Sequence, residues 1–259
     1  MKIARLAFFS LIALPLFAQL PRISNGTLKR AQAASNLAAQ IEARGTDGWF
    51  GYEIPGAATH SVFCSSSDSL DIRSRGDLHP LSSPPAVFYR VDDGRVTKVR
   101  LYSVECQLDA AGRTVTWLEG VDARASMTFL RSLVDENTRV AEGALAAMSM
   151  HEGSVDVLLD LAKNHAEPRV RGKALFWLSQ QAGAKVAPAL REAVDRDPDT
   201  KVKEQAVFGI AQLPNDQSIP LLADLARKHS NPSVRKRAVF WLGQKDDPRA
   251  LAVIEEILR

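Results

Sequence analysis

The 259-residue chain carries 33 Lys and Arg against 30 Asp and Glu, a formal net charge of +3. So even a balance argues against nucleic acid, which rewards a concentrated basic surface. No G-x-S-x-G, Walker-type loop or H-E-x-x-H occurs, so no catalytic signature is present and neither metal nor cofactor is called for.

The N-terminus fixes the expected compartment. Lys2 and Arg5 precede an apolar run, Leu6 to Phe17, that is short for a membrane span and is followed by Ala18 and Gln19. That is the layout of a secretory signal peptide over residues 1–18, cut after Ala18; an uncleaved anchor is the alternative. Cleavage removes two cations, leaves a net of about +1 and leaves no membrane span. The expected location is periplasmic or secreted.

Residues 19–120 are expected to form a β-rich N-terminal domain. Leu28, Ala31, Ala34, Ala38 and Ile41 recur at three- and four-residue steps, which predicts an opening helix from Leu28 to Ala43. The period then drops to two: Phe50, Tyr52 and Ile54; Val87, Tyr89 and Val91; Val99 and Leu101; Val104, Cys106 and Leu108. Turn residues at Asp92-Asp93-Gly94 and Asp109-Ala110-Ala111-Gly112 predict a three-stranded meander over residues 86 to 118. The switch of apolar phase between Leu101 and Val104 predicts a bulge near Tyr102 and Ser103. Residues 65 to 85, rich in Ser and Pro, read as an irregular loop. In an oxidising compartment Cys64 and Cys106 read as a disulfide between two strands. Closing a loop of about 40 residues in this way is worth roughly 3 to 4 kcal/mol. A redox or metal pair is the other reading, but there is no C-x-x-C and no His at ligand spacing.

From residue 121 the pattern becomes helical and repeats. A weak copy comes first: a helix from Ala125 to Val134, then Val140, Ala144 and Met148 on one face of a second. Three nine-residue segments follow, starting at Val170, Val202 and Val234, each 32 residues after the last. A period of that size marks stacked helical hairpins. Pro188 and Pro220 share the same spacing and are expected in the first turn of an A helix, where proline costs no hydrogen bond. The units read as helix A (Val186 to Arg196; Ile219 to Lys228), a polar turn, then helix B (Val202 to Leu213; Val234 to Gln244). Arg249 to Leu258 is an A helix with no B after it, expected to cap the array with a wet face of Glu255, Glu256 and Arg259.

The proline-opened A helix, the Asp/Asn-Pro turn and the V-R-x-x-A start of helix B resemble HEAT repeats of the short bacterial kind related to phycobilisome lyase repeats. The resemblance covers residues 121–259 and implies a short right-handed α-solenoid there, so the expected chain is an α+β N-terminal domain followed by that solenoid, mostly α overall. Relatives of that kind include scaffolds, lyase subunits and a metal-dependent hydroxylase. The hydroxylase branch places His-Glu pairs near the B-helix starts, where this sequence has Gly172-Lys173, Glu204-Gln205 and Lys236-Arg237. The lone His151-Glu152 pair lies in a turn and cannot make such a site. Asp195, Asp197 and Asp199 lack the glycine and the twelfth-position carboxylate of a calcium loop, and read as a capped turn.

Along the B helices, counting from the repeat Val, offsets 4 and 8 are always apolar and form the buried seam. Offset 1 carries Arg171, Lys203 and Arg235, read as braces for the preceding turn. Offsets 3, 6 and 10 carry Lys173, Phe176 and Gln180; Gln205, Phe208 and Gln212; Arg237, Phe240 and Gln244. With Trp177 and Trp241 at offset 7, these are the candidate binding residues of a groove. Alternatively the Phe rings are packing between adjacent B helices and the two Trp are the groove residues. Gly209, in place of the Trp, is expected to leave room for a ligand or for the flanking indoles. The function implied is an interaction module, a scaffold or adaptor that binds a protein or peptide partner on the concave face. An enzyme subunit of the lyase or oxidoreductase kind and a carbohydrate or cell-wall binder are the alternatives.

Overall fold

The structure is a computed structural model that describes residues 20–43, 45, 47–57, 62–64, 79–81, 84–136, 139–181 and 183–259, with backbone only for 62–64 and 79–81. The signal-peptide reading of residues 1–18 and most of the loop reading of 65 to 85 fall outside the described residues.

The N-terminal part is built on a five-stranded sheet in the order β2-β9-β3-β6-β7, from β2 (Thr27–Gln32), β3 (Gly48–Glu53), β6 (Pro85–Asp92), β7 (Arg95–Ser103) and β9 (Thr114–Glu119). Two-stranded pairs flank it: β1 (Arg22–Ser24) runs parallel to β8 (Gln107–Asp109), and β4 (Val62–Cys64) antiparallel to β5 (His79–Leu81). Both faces of the sheet are covered. Phe50, Tyr52, Val87, Tyr89, Val91 and Val99 face the helices, while Trp49, Phe88, Tyr102, Val115 and Trp117 join a second core with Val104, Cys106 and Leu108. Strand side chains alternate between faces, so two-sided cover explains why β3 and β6 are buried almost without a break.

Three expectations for this part are corrected. The helix over 28–43 divides into β2 and a short α1 (Leu37–Ile41) capped by Asn36. The spacing of its alanines fits a helix, but residues 27 to 32 are drawn into parallel pairing with β9, 87 positions later, from Thr27↔Thr114 to Gln32↔Glu119. The meander is only a hairpin, β6 to β7, closed by Asp93 and Gly94 with φ of 52° and 69°, the two positive values that a type I′ turn needs. Strand β9 leaves that hairpin and enters between β2 and β3, parallel to both. The bulge lies at Arg90/Val91, and the phase switch after Leu101 is a turn in which the Cys106 N–H donates to the Ser103 carbonyl at 3.0 Å.

The helical part follows without a break in the core. Its A helices are α2 (Ala123–Glu136), α4 (Ser154–Asn164), α6 (Val186–Arg196), α8 (Asn215–Lys228) and α10 (Pro248–Ile257); its B helices are α3 (Ala141–Ser149), α5 (Pro168–Ser179), α7 (Thr200–Gln212) and α9 (Pro232–Gly243). The B helices pack directly on one another in the order α3, α5, α7, α9. Ala174, Leu178, Ala206, Ile210, Ala238 and Leu242, the seam positions, are fully buried. Helix α8 starts a turn earlier than its spacing implies, at Asn215 behind Pro214. Pro220 is therefore its sixth residue and removes one internal hydrogen bond, whereas Pro188 is the third residue of α6 and removes none.

The first hairpin seats the sheet on the array. Gly143 in α3 brings helix backbone onto β7; a Cβ there would lie 2.7 Å from the Val99 carbonyl oxygen. A buried polar chain crosses the same joint. The Tyr89 and Tyr52 hydroxyls are 2.6 Å apart, Tyr52 is 2.9 Å from Ser126 Oγ, and Ser126 Oγ is 2.8 Å from His151 Nε2. His151 Nδ1 faces the Ala147 carbonyl at 2.9 Å. A carbonyl only accepts, so Nδ1 carries the proton. Burial pushes the imidazole pKa down, keeping it neutral. Each hydroxyl in turn then donates toward His151: Tyr89 to Tyr52, Tyr52 to Ser126, Ser126 to Nε2.

Candidate functional site

The turn-bracing reading of offset 1 describes what the geometry does. Arg171 donates to the His165 and Ala166 carbonyls at 2.9 and 3.0 Å, Lys203 to those of Val194 and Asp195 at 2.7 and 2.9 Å, and Arg235 to those of His229 and Ser230 at 2.8 and 2.9 Å. Those carbonyls end the A helices and have no intrahelical partner. Arg171 also holds Asp197 through two parallel bonds of 2.8 and 3.0 Å, a fork that suits guanidinium and carboxylate. Asp199 caps α7, accepting from the Lys201 and Val202 amides. At the same turns, the Nδ1 of His165 and of His229 each accepts from the backbone amide two residues on, at 3.1 Å.

The outer row of A helices satisfies its own charge. Arg131 reaches Asp160, Lys163 reaches Glu192, Arg191 reaches Asp224 and Arg227 reaches Glu256, each across one repeat. A cavity of about 740 Å³ between α4 and α6 is lined by groups already paired, among them Arg171 with Asp197 and Lys163 with Glu192.

The B-helix row is different, because its faces meet through rings. Phe176 and Phe208 are stacked, with centroids 6.1 Å apart and planes 5° from parallel. Phe208 touches Trp241 at 5.0 Å, and Trp177 and Trp241 each lie edge-on to the Phe before them at 5.0 Å. Five rings thus run across three helices in one continuous row, four of them half-buried and Phe240 exposed at 49 %. The Phe residues are both rungs of the packing and part of the surface. The indole N–H groups of Trp177 and Trp241 are buried with no acceptor among the described residues, so packing alone holds those rings.

The remaining candidates flank the row. Lys173 pairs with Glu142 at 2.8 Å and Arg237 with Glu204 at 3.3 Å, so both act between successive B helices. Gln205, Gln180, Gln212 and Gln244 are exposed, the last three at B-helix C-termini. The room expected at Gly209 is filled: a Cβ there would meet Leu190 at 2.7 Å and Ser179 at 3.3 Å. Space opens instead beside Gly172, in a cleft of about 470 Å³ between the starts of α5 and α7, edged by Arg169, Lys173, Lys201 and Gln205. Offset 2 is Glu204 and Lys236 in the other copies, so the missing side chain at Gly172 was the sequence signal for this cleft.

The Ser126–His151 pair has the spacing of a nucleophile and its base. Both are buried, at 0 % and 5 % exposure, and Tyr52 occupies the other side of the serine, so the pair holds the joint between sheet and helices. Among the described residues no group of three or more His, Cys, Asp or Glu could hold a metal ion, and no helix is long and apolar enough to cross a membrane. Cys106 is buried in the second core; the Cys64 side chain lies outside the described residues, so the bridge between them is not shown.

A family profile described as HEAT repeats matches residues 187–259. Those residues are HEAT-like repeats. The helical hairpins of the solenoid, α2 to α10, extend that architecture upstream of the matched residues. Among solved structures, the crystal structure of an engineered protein from the Northeast Structural Genomics Consortium is similar at 17% identity and a TM-score of 0.31, over 52% of this chain and 41% of that one. The chain thus spans less than half of that protein's length. No curated protein matches.

Proposed function

We propose that this HEAT-like protein is an interaction module, a scaffold or adaptor, that takes a segment of a protein partner on its B-helix face. HEAT repeats generally serve contacts between proteins, and the B-helix row is the face that carries an aromatic row beside its charge pairs. The observation that carries the reading is the cleft at Gly172 beside the Phe176–Phe208 stack. Together they offer a partner an aromatic platform, close approach to helix backbone and polar side chains at the rim. The same reading places the protein in the periplasm or outside the cell after removal of residues 1–18, with Cys64 and Cys106 bridged.

Filling the cleft tests the proposal. A Cβ at Gly172 meets only Gln205, at 3.4 Å or more, so Gly172→Leu is expected to fold. With a photo-crosslinker at Gln205, the native chain should give one discrete adduct in periplasmic extract, and Gly172→Leu should lose it with an unchanged melting temperature. An adduct that survives filling of the cleft sinks the reading.

A further inference from the structure

Successive B helices are tied by a recurring ion pair, and the step at the cleft lacks it. Counting from Val140, Val170, Val202 and Val234, offset 2 of one helix meets offset 3 of the next: Glu142 takes Lys173 at 2.8 Å and Glu204 takes Arg237 at 3.3 Å. Between α5 and α7 the same two places are Gly172 and Gln205. Carboxylate and cation are replaced together. A Cβ at Gly172 would lie 3.4 Å from Gln205 Cγ, so the glutamine holds the register position that the cation holds elsewhere. The surroundings are nonetheless cationic. Arg169, Lys173 and Lys201 edge the cleft, and the starts of α5 and α7, whose amides carry partial positive charge, open onto it. Two carboxylates line it as well. Asp199 is spent on the Lys201 and Val202 amides of α7, while Glu167 is exposed and makes no cap bond to α5. Arg169 and Lys173 share the carboxylate of Glu142, at 4.0 and 2.8 Å, and among the described residues Lys201 pairs with none.

We propose that the partner segment brings the missing carboxylate: an aspartate or glutamate side chain enters the cleft at Gly172, accepts from the Gln205 amide and is held by Lys201 and Arg169. The inference rests on the cleft being the docking site and names the chemistry of what docks there. A neutral or basic side chain would leave the cationic rim unanswered. A second anchor follows from the same helices. Phe176 and Phe208 lie four and three residues beyond Gly172 and Gln205, about 5 to 6 Å along the helix axis. An extended chain covers about 6 to 7 Å in two residues. The segment thus carries its acidic residue two positions from an aromatic one, which lies on the stacked Phe pair.

Random peptides displayed on phage, panned against the native chain and counter-selected on Gly172→Leu, test the proposal. Clones that need the open cleft should carry Asp or Glu two positions from Phe, Tyr or Trp. In a synthetic copy of such a clone, replacing the acid by Asn should weaken binding at least about tenfold, the loss of one charge-assisted hydrogen bond. Lys201→Glu in the protein should do the same, and Gln205→Lys, which restores the cation of the other steps, should tighten binding. A gain cannot come from damage to the fold. Lys201 and Gln205 are both exposed, so melting temperatures should stay as in the native chain. Cleft-dependent clones without the acidic residue, an affinity untouched by Lys201→Glu, or no gain from Gln205→Lys overturns this inference and leaves the docking site standing. If no clone distinguishes the native chain from Gly172→Leu, both are overturned.

Discussion

In the sheet, Thr27 pairs with Thr114 and Trp49 with Val115; in the solenoid, Lys173 meets Glu142 and Arg237 meets Glu204. The first kind of contact spans most of the N-terminal region and occurs once. The second spans about one repeat and recurs. Stacked repeats therefore draw stability from near neighbours, so damage can stay local, whereas a strand such as β9, wedged between β2 and β3, cannot leave without opening the whole sheet. The joint at Gly143 and His151 is where the two regimes are tied together.

The largest test of that contrast is Arg171→Met. It leaves Asp197 buried without its partner and should cost about 3 kcal/mol or more. Hydrogen exchange should show the loss in α4 to α7, with sheet amides still protected; equal loss in the sheet would mean that the two regions unfold as one. Next is Gly143→Ala, which pushes a methyl group into the Val99 backbone. It should cost about 2 kcal/mol and, unlike the first, lower protection on both sides of the joint. Tyr52→Phe removes the acceptor of the Tyr89 hydroxyl and the donor to Ser126, a loss of about 1 to 2 kcal/mol in a urea titration. The smallest effect is that of acid. His151 has a folded pKa lowered from the usual 6.5 by burial, so the unfolded chain binds the extra proton and stability falls as pH drops through and below 6.5. Thermal melts of the native chain should show that slope, and His151→Gln should flatten it. A slope unchanged in the variant would assign the acid sensitivity to other groups.

Much of the solenoid was legible because its contacts repeat where its sequence does. Val170, Val202 and Val234 marked the seam, and the residue after each marked the brace. The misread parts were those decided by distant partners. Alanines at helical spacing could not announce that residues 27 to 32 pair with 114 to 119, and the turn at Asp109 to Gly112 could not reveal that β8 and β9 join different sheets. His151 looked like a turn residue because its partner Ser126, and Tyr52 behind that serine, come from two other elements. At the candidate site the Phe/Trp row was visible as a pattern of offsets, but its stacking was not. Gly172 was passed over as one half of a missing His-Glu pair, though its lack of a side chain is what opens the cleft.

That single glycine has a consequence for any array of equal steps. A partner laid along identical rungs could shift by one repeat and find the same surroundings, much as a scale without numerals can be read from any line. Gly172 makes the step between α5 and α7 unlike the step between α7 and α9, where Glu204 pairs with Arg237. The row of rungs thereby acquires an origin, and positions along it can be counted from there.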